Sequence, residues 1–194
     1  MLTVGITGGI GSGKSTICRI FEVMEVPVFN ADAEARRIQN EDPNIRSSMI
    51  SLFGNEVYND DGLNRKLVAE LVFNNKLLLD QLNKIIHPAT LVAFEKWKQD
   101  YSSNHYVIKE AAILFESKSN IGLDKIIVVS AAEELRIERI VKRDNISREQ
   151  IISRMNNQLA EEERIAKADF VIVNDEKSAI IPQVLAVHEK LLAL

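Results

Sequence analysis

Apolar residues fall in short blocks that alternate with stretches of helical periodicity. Residues 2–6 form a strand-like run, followed by a glycine-rich turn and then by 15–24, where Ile17, Ile20, Phe21 and Met24 recur at helical spacing. Residues 26–29 have the β-branched and aromatic make-up of a second buried strand, with Asn30, Ala31 and Asp32 at its carboxyl end. Residues 106–109, 125–129 and 170–173 are the remaining strand candidates. Helices are predicted over 132–143, from a Ser-x-x-Gln capping box at Ser147 to a break near Leu159, and over 178–191, with Pro182 either near the first turn or kinking the helix. The pattern from 33 to 104 is almost wholly helical, with Asp42-Pro43 as cap and first helical residue, Asn64 as a second cap, and Pro88 opening a helix through Trp97. Strands alternating with helices predict an α/β core with a parallel sheet, built from about 1–32, 105–135 and 168–194. The stretches 33–104 and 136–167 are then helical appendages to it.

Composition narrows the class. A chain of 194 residues, 46% hydrophobic and 27% charged, is an ordinary globular chain with one folding unit as the default. The formal charge of −4 gives no overall electrostatic footprint for nucleic acid. The one cysteine, Cys18, cannot form an intramolecular disulfide and reads as a small core hydrophobe. The apolar start is interrupted by Gly5, unlike a signal peptide, and no window approaches the roughly 20 apolar residues of a membrane helix. A cytoplasmic protein is expected; the oligomeric state stays open.

The chemistry lies in the first turn. Gly8-Gly9-Ile10-Gly11-Ser12-Gly13-Lys14-Ser15 matches Gly-x₄-Gly-Lys-Ser/Thr and is followed by Thr16, between a strand and a helix. Consecutive N–H groups in such a loop wrap a phosphate chain, and the following helix aims its positive end at the same anion. Lys14 supplies a cation for the β- and γ-phosphates of ATP, and the Ser15 hydroxyl is placed to ligate Mg²⁺. The motif is shared by kinases, GTPase switches and motors, so other residues decide. No Asn-Lys-x-Asp guanine signature occurs, and the only analogue of a motor's apolar-acidic strand is Val107-Ile108-Lys109-Glu110, with Glu110 a candidate for holding metal-bound water.

Two further groups stand out. Asp32, at a strand end, suits a general base that takes the proton of an attacking hydroxyl; as a cap on a helix beginning near Ala33 it is equally well explained. Arg136, Arg139 and Arg143 are spaced three and four apart on one predicted helical face, with Lys142, Arg148 and Arg154 nearby. They read either as the cations of a lid closing over triphosphate or as a solvated face.

With these residues in view, the sequence resembles the dephospho-coenzyme A kinases, relatives of the nucleoside monophosphate kinases. Thr7 through Thr16 looks like that family's P-loop with its flanks. Asn30-Ala31-Asp32 with Arg36, Leu82-Asn83, His87-Pro88 and Leu114-Phe115-Glu116 are similar to further family landmarks. So are Arg143-Asp144, Arg154, Gln158, Ala168-Asp169 and Asn174. The resemblance implies a P-loop kinase core with an inserted helical substrate domain (33–104) and a helical lid (136–167). It also implies transfer of a phosphoryl group from ATP, with Mg²⁺, to the ribose 3′-hydroxyl of dephospho-coenzyme A. Gly8, Gly11, Ser12, Gly13, Lys14, Ser15 and Thr16 would then bind ATP with Arg139 and Arg143, Asp32 would be the base, and Arg36 and His87 would line the acceptor side. Arg154 would belong to the lid and its hinge. Three positions depart from the family pattern: Asn30 replaces the first Asp of Asp-Ala-Asp, Glu110-Ala111-Ala112 stands where Asp-Val-Pro is usual, and Arg136 stands where Gln is common. Activity is expected to survive all three, since Lys14, Ser15 and Asp32 remain.

Overall fold

The structure, a computed structural model, describes residues 1–73 and 75–194. The chain divides into two compact units, one formed by Met1–Asn30 with Lys98–Leu194 and the other by Ala31–Trp97.

The first unit is built on a five-stranded sheet of β1 (Leu2–Thr7), β2 (Val28–Asn30), β5 (Tyr106–Glu110), β6 (Lys125–Ser130) and β7 (Phe170–Val173). Their order is β2-β5-β1-β6-β7 and every pairing is parallel. The three inner strands are near-continuous buried runs, the pattern expected of strands covered on both faces. Helix α1 (Lys14–Val23) buries Ile17, Cys18 and Phe21, and α9 (Ile180–Leu192) buries Val184, Val187 and Leu191, in one cluster with Val4, Ile6, Ile108, Ile127 and Ile172. Phe21 meets Tyr106 edge-on, and Tyr106 Oη hydrogen-bonds His188 Nδ1 at 2.6 Å, so His188 is a structural histidine. The start of β1 is tied to the loop before β6 by Asp124, whose carboxylate accepts from Thr3 N at 2.7 Å and Thr3 Oγ1 at 2.8 Å. Three helices lie between β6 and β7: α6 (Glu133–Asp144), α7 (Arg148–Met155) and α8 (Glu161–Ala166). Asn145 ends α6 in the left-handed region, and the Ser147–Gln150 capping box opens α7 as the sequence predicts.

The second unit holds α2 (Ala31–Glu41), α3 (Pro43–Phe53), a hairpin of β3 (Tyr58–Asn59) and β4 (Gly62–Leu63), α4 (Arg65–Phe73) and most of α5 (Lys76–Gln99). Met49, Phe53, Val57, Val68 and Ile86 form its core. Asp42 caps α3 by accepting from Asn44 N and Ile45 N, and Asn64 Oδ1 accepts from Leu67 N in the first turn of α4. The stretch is almost wholly helical, as expected, with one tight hairpin closed by Asn59 through Gly62, where Gly62 has φ 100°. One expectation is corrected. Pro88 does not open a helix but lies inside α5, which Asn75 starts by accepting from Leu78 N. Ile86, Thr90 and Phe94 are buried on one face across the proline, and that packing outweighs the lost backbone bond.

Candidate active site

The loop from Gly8 to Gly13 follows the carboxyl end of β1, the middle strand, and leads directly into α1. Gly11 and Gly13 have φ of 81° and 94°, which L-residues with a Cβ rarely adopt. Gly13 is the N-cap of α1 and offers no side-chain capping bond, leaving the positive end of the helix to a ligand. Lys14 Nζ donates to Gly8 O at 2.9 Å, so the ammonium is folded across the mouth of the loop. Ser15 and Thr16 are exposed at the start of the helix, whereas Ser12 is buried.

Distant segments hold this loop in shape. Asn174, just past β7, donates from Nδ2 to Ser12 O at 2.7 Å, and Gln158 Oε1 accepts from Ile10 N at 2.8 Å. Arg139 of α6 donates to Gly11 O at 3.4 Å, to Asn174 O at 3.1 Å and to Glu176 Oε1 at 3.1 Å. Leu159 N donates to Glu116 Oε1 at 2.8 Å, which ties the segment after α7 to the loop after β5. Arg164 is fully buried, donating to Glu161 Oε2 and Leu159 O, each at 2.6 Å.

Beside the loop, Glu110 at the end of β5 accepts from Asn30 Nδ2 at 2.7 Å. Burial pushes the Cys18 thiol far above its ordinary pKa, the charges of nearby Glu110 and Glu22 add to this, and Lys14 opposes it. Cys18 therefore stays a neutral core thiol. The exposed Ser15 hydroxyl and the Glu110 carboxylate are hard oxygen donors of the type Mg²⁺ takes, and Mg²⁺ commonly uses only one or two protein oxygens alongside nucleotide phosphates.

The predicted arginine face is not realised as one surface. Arg136 is buried, Arg139 reaches the loop, and Arg143 is 64% exposed in a two-pronged pair with Asp144, Nε–Oδ1 2.7 Å and Nη2–Oδ2 2.9 Å. Arg154 is also exposed. The structure thus gathers Gly8, Gly11, Ser12, Gly13, Lys14, Ser15, Thr16 and Arg139, but it does not bring Arg143 to them. In the second unit, Asp32 is the second residue of α2, in its first turn, and Arg36 follows one turn later on the same helix. His87 is half-buried on α5. The loop contacts of Gln158 and Asn174 are not readable from sequence, since they join positions 148 and 162 residues apart.

A family model described as dephospho-CoA kinase matches residues 2–179. A dephospho-CoA kinase of Bacteroides fragilis is 42% identical over 95% of this chain and 90% of its own. One from Chlorobium chlorochromatii is 43% identical over 98% and 94%. The solved structure of the dephospho-CoA kinase from Campylobacter jejuni superposes with a TM-score of 0.72 at 28% identity, covering 98% of this chain and 97% of that one.

Proposed function

Because this chain belongs to the dephospho-CoA kinase family, whose members phosphorylate dephospho-CoA with ATP in coenzyme A synthesis, we propose that its own residues divide that reaction as follows. The loop from Gly8 to Gly13 cradles the ATP phosphates, and Lys14 leaves the Gly8 carbonyl to follow charge as it develops on the β–γ bridge. Ser15 and Glu110 would hold Mg²⁺, directly or through water, which when bound neutralises phosphate charge. Asp32 takes the proton of the ribose 3′-hydroxyl as its oxygen attacks the γ-phosphorus, and ADP leaves. Arg36 and His87 orient the acceptor within the helical unit. Arg139 contributes to ATP binding from its place at Gly11, and Arg143 is recruited only when the α6–α7 segment closes over both ligands, excluding water.

The observation that carries this reading is the complete phosphate loop, with its lysine already turned across it, in a chain matched to the family over residues 2–179. ADP release measured with and without dephospho-CoA, alongside a nucleoside monophosphate and shikimate, tests it. Release should depend on dephospho-CoA, and the product should carry its new phosphate at the 3′ position. Equal rates with and without that acceptor reject the assignment.

A further inference from the structure

Beside the N-terminal flank of the phosphate loop lies a cavity of about 500 Å³, walled by the end of β6, the start of α6 and residues 155–164. Two arginines line it, and both are buried: Arg136 is 7% exposed and Arg164 1%. Both guanidinium groups reach Gly9, where a Cβ would collide with Arg136 Nη1 and come within 3.4 Å of Arg164 Nη1. A side chain at Gly9 would require the Arg136 guanidinium to shift.

The two cations are not equally satisfied. Arg164 has Glu161 and a backbone carbonyl, whereas no ion pair among the described residues involves Arg136, and its Nε is buried without a hydrogen-bond partner. A guanidinium out of water and without a carboxylate is costly, and one beside a second guanidinium more so. Its position adds to the cost, because the first turns of α6 are the positive end of the helix. Packing alone gives no reason for a charged group at Arg136. The other wall holds a complementary orphan: Glu161 Oε2 grips Arg164, but Oε1 is buried with no donor. The cavity is therefore lined by a guanidinium without a carboxylate, beside a second guanidinium, and it is far larger than a γ-phosphoryl group. A ligand that fits carries phosphate oxygens joined to a longer arm.

We propose that this cavity is the subsite for the diphosphate and adjoining arm of the acceptor, with Arg136 and Arg164 holding phosphate oxygens. The proposal rests on the dephospho-CoA reading and deepens it. Arg136 is a binding residue here and takes no part in bond making.

The test is Arg136→Gln, which keeps a polar chain and removes the charge. Calorimetric titration of dephospho-CoA into protein saturated with a non-hydrolysable ATP analogue should show affinity reduced about tenfold or more, the range expected for a lost charge-assisted contact. Affinity for the ATP analogue itself should stay within about twofold, and steady-state kinetics should show a raised KM for dephospho-CoA with kcat little changed. Without ligand, the variant should melt no lower than the wild type, because an unpaired buried cation is gone. Dephospho-CoA affinity within about twofold of wild type overturns the proposal. So does a loss shared equally by the ATP analogue, which would give the pocket to ATP, or a lower melting temperature with unchanged affinity, which would make Arg136 structural. If the wild-type protein releases ADP without needing dephospho-CoA, the functional reading falls instead.

Discussion

Replacing Asn174 tests whether the phosphate loop is held in shape from outside. The side chain is 6% exposed, and its Nδ2 donates to the carbonyl of fully buried Ser12 at 2.7 Å, while Oδ1 accepts from Arg139 Nη2 at 3.3 Å. Asn174→Ala leaves the Ser12 carbonyl without this donor, a loss of about 1–3 kcal/mol. For a chain of this size that lowers Tm by roughly 2–12 °C. Asn174→Asp is the sharper variant. It keeps the acceptor for Arg139 and strengthens it, but turns an oxygen toward the Ser12 carbonyl, so it should destabilise at least as much as alanine. Urea denaturation with a fixed slope gives the stability change, and titration with a non-hydrolysable ATP analogue gives the functional one, where a several-fold loss is expected as the loop loses its preformed shape. An aspartate variant as stable as wild type would refute the reasoning, because the Arg139 contact alone would then account for Asn174.

Lys14→Ala should lower turnover by roughly 10²–10³-fold with folding intact; turnover within about threefold of wild type would end the phosphate-loop assignment. Asp32→Asn should lower turnover by roughly 10²–10⁴-fold with little change in ATP affinity, and comparable catalysis by both proteins would remove Asp32 from the mechanism. Asp124→Ala should destabilise the fold by freeing Thr3 at the start of β1. The Thr3 hydrogen bonds hold the Asp124 carboxyl below its ordinary 3.8, so the wild-type advantage should be full above about pH 4 and fade as pH falls through the lowered value, read from urea midpoints across pH. Amide exchange across 139–158 should slow most with ATP analogue and acceptor together, with Arg143→Ala blunting that change; equal protection in all ligand states would mean a rigid segment.

Local chemistry was legible where it is local. The strand-turn-helix around Lys14, the Asp42-Pro43 cap and the Ser147–Gln150 box depend on neighbours in sequence, and each lies where spacing puts it. Pro88 misled because its local preference for a helix start was overridden by burial along α5, which only tertiary packing supplies. The arginine spacing misled differently. Residues three and four apart do share a helical side, but α6 turns that side from the core at Arg136 to solvent at Arg143, and Asp144 claims the exposed end. In the sequence Arg136 stood out as one of three arginines at helical spacing and, in the family resemblance, as a departure from glutamine. That it is buried beside Arg164, with Gly9 making room, depends on contacts across more than 120 residues that no spacing rule reaches.

Those contacts bear on how the site can respond to nucleotide. Arg139 now binds the loop carbonyl of Gly11, Asn174 and the carboxylate of Glu176, whose side chain is 63% exposed. An ion pair so open to water contributes little, so moving the guanidinium from Glu176 to a phosphate gives up little. Arg143 is in the same position with Asp144, 64% and 28% exposed. Arg164 is not: its side chain is 2% exposed and that of Glu161 19%, and breaking the pair would leave a buried guanidinium without its carboxylate. The cations therefore separate by burial into two that can exchange partners when ATP arrives and one that is fixed. The fixed one forms, with Arg136, the wall against which an incoming diphosphate would be held, so that only the exchangeable pair need move during turnover.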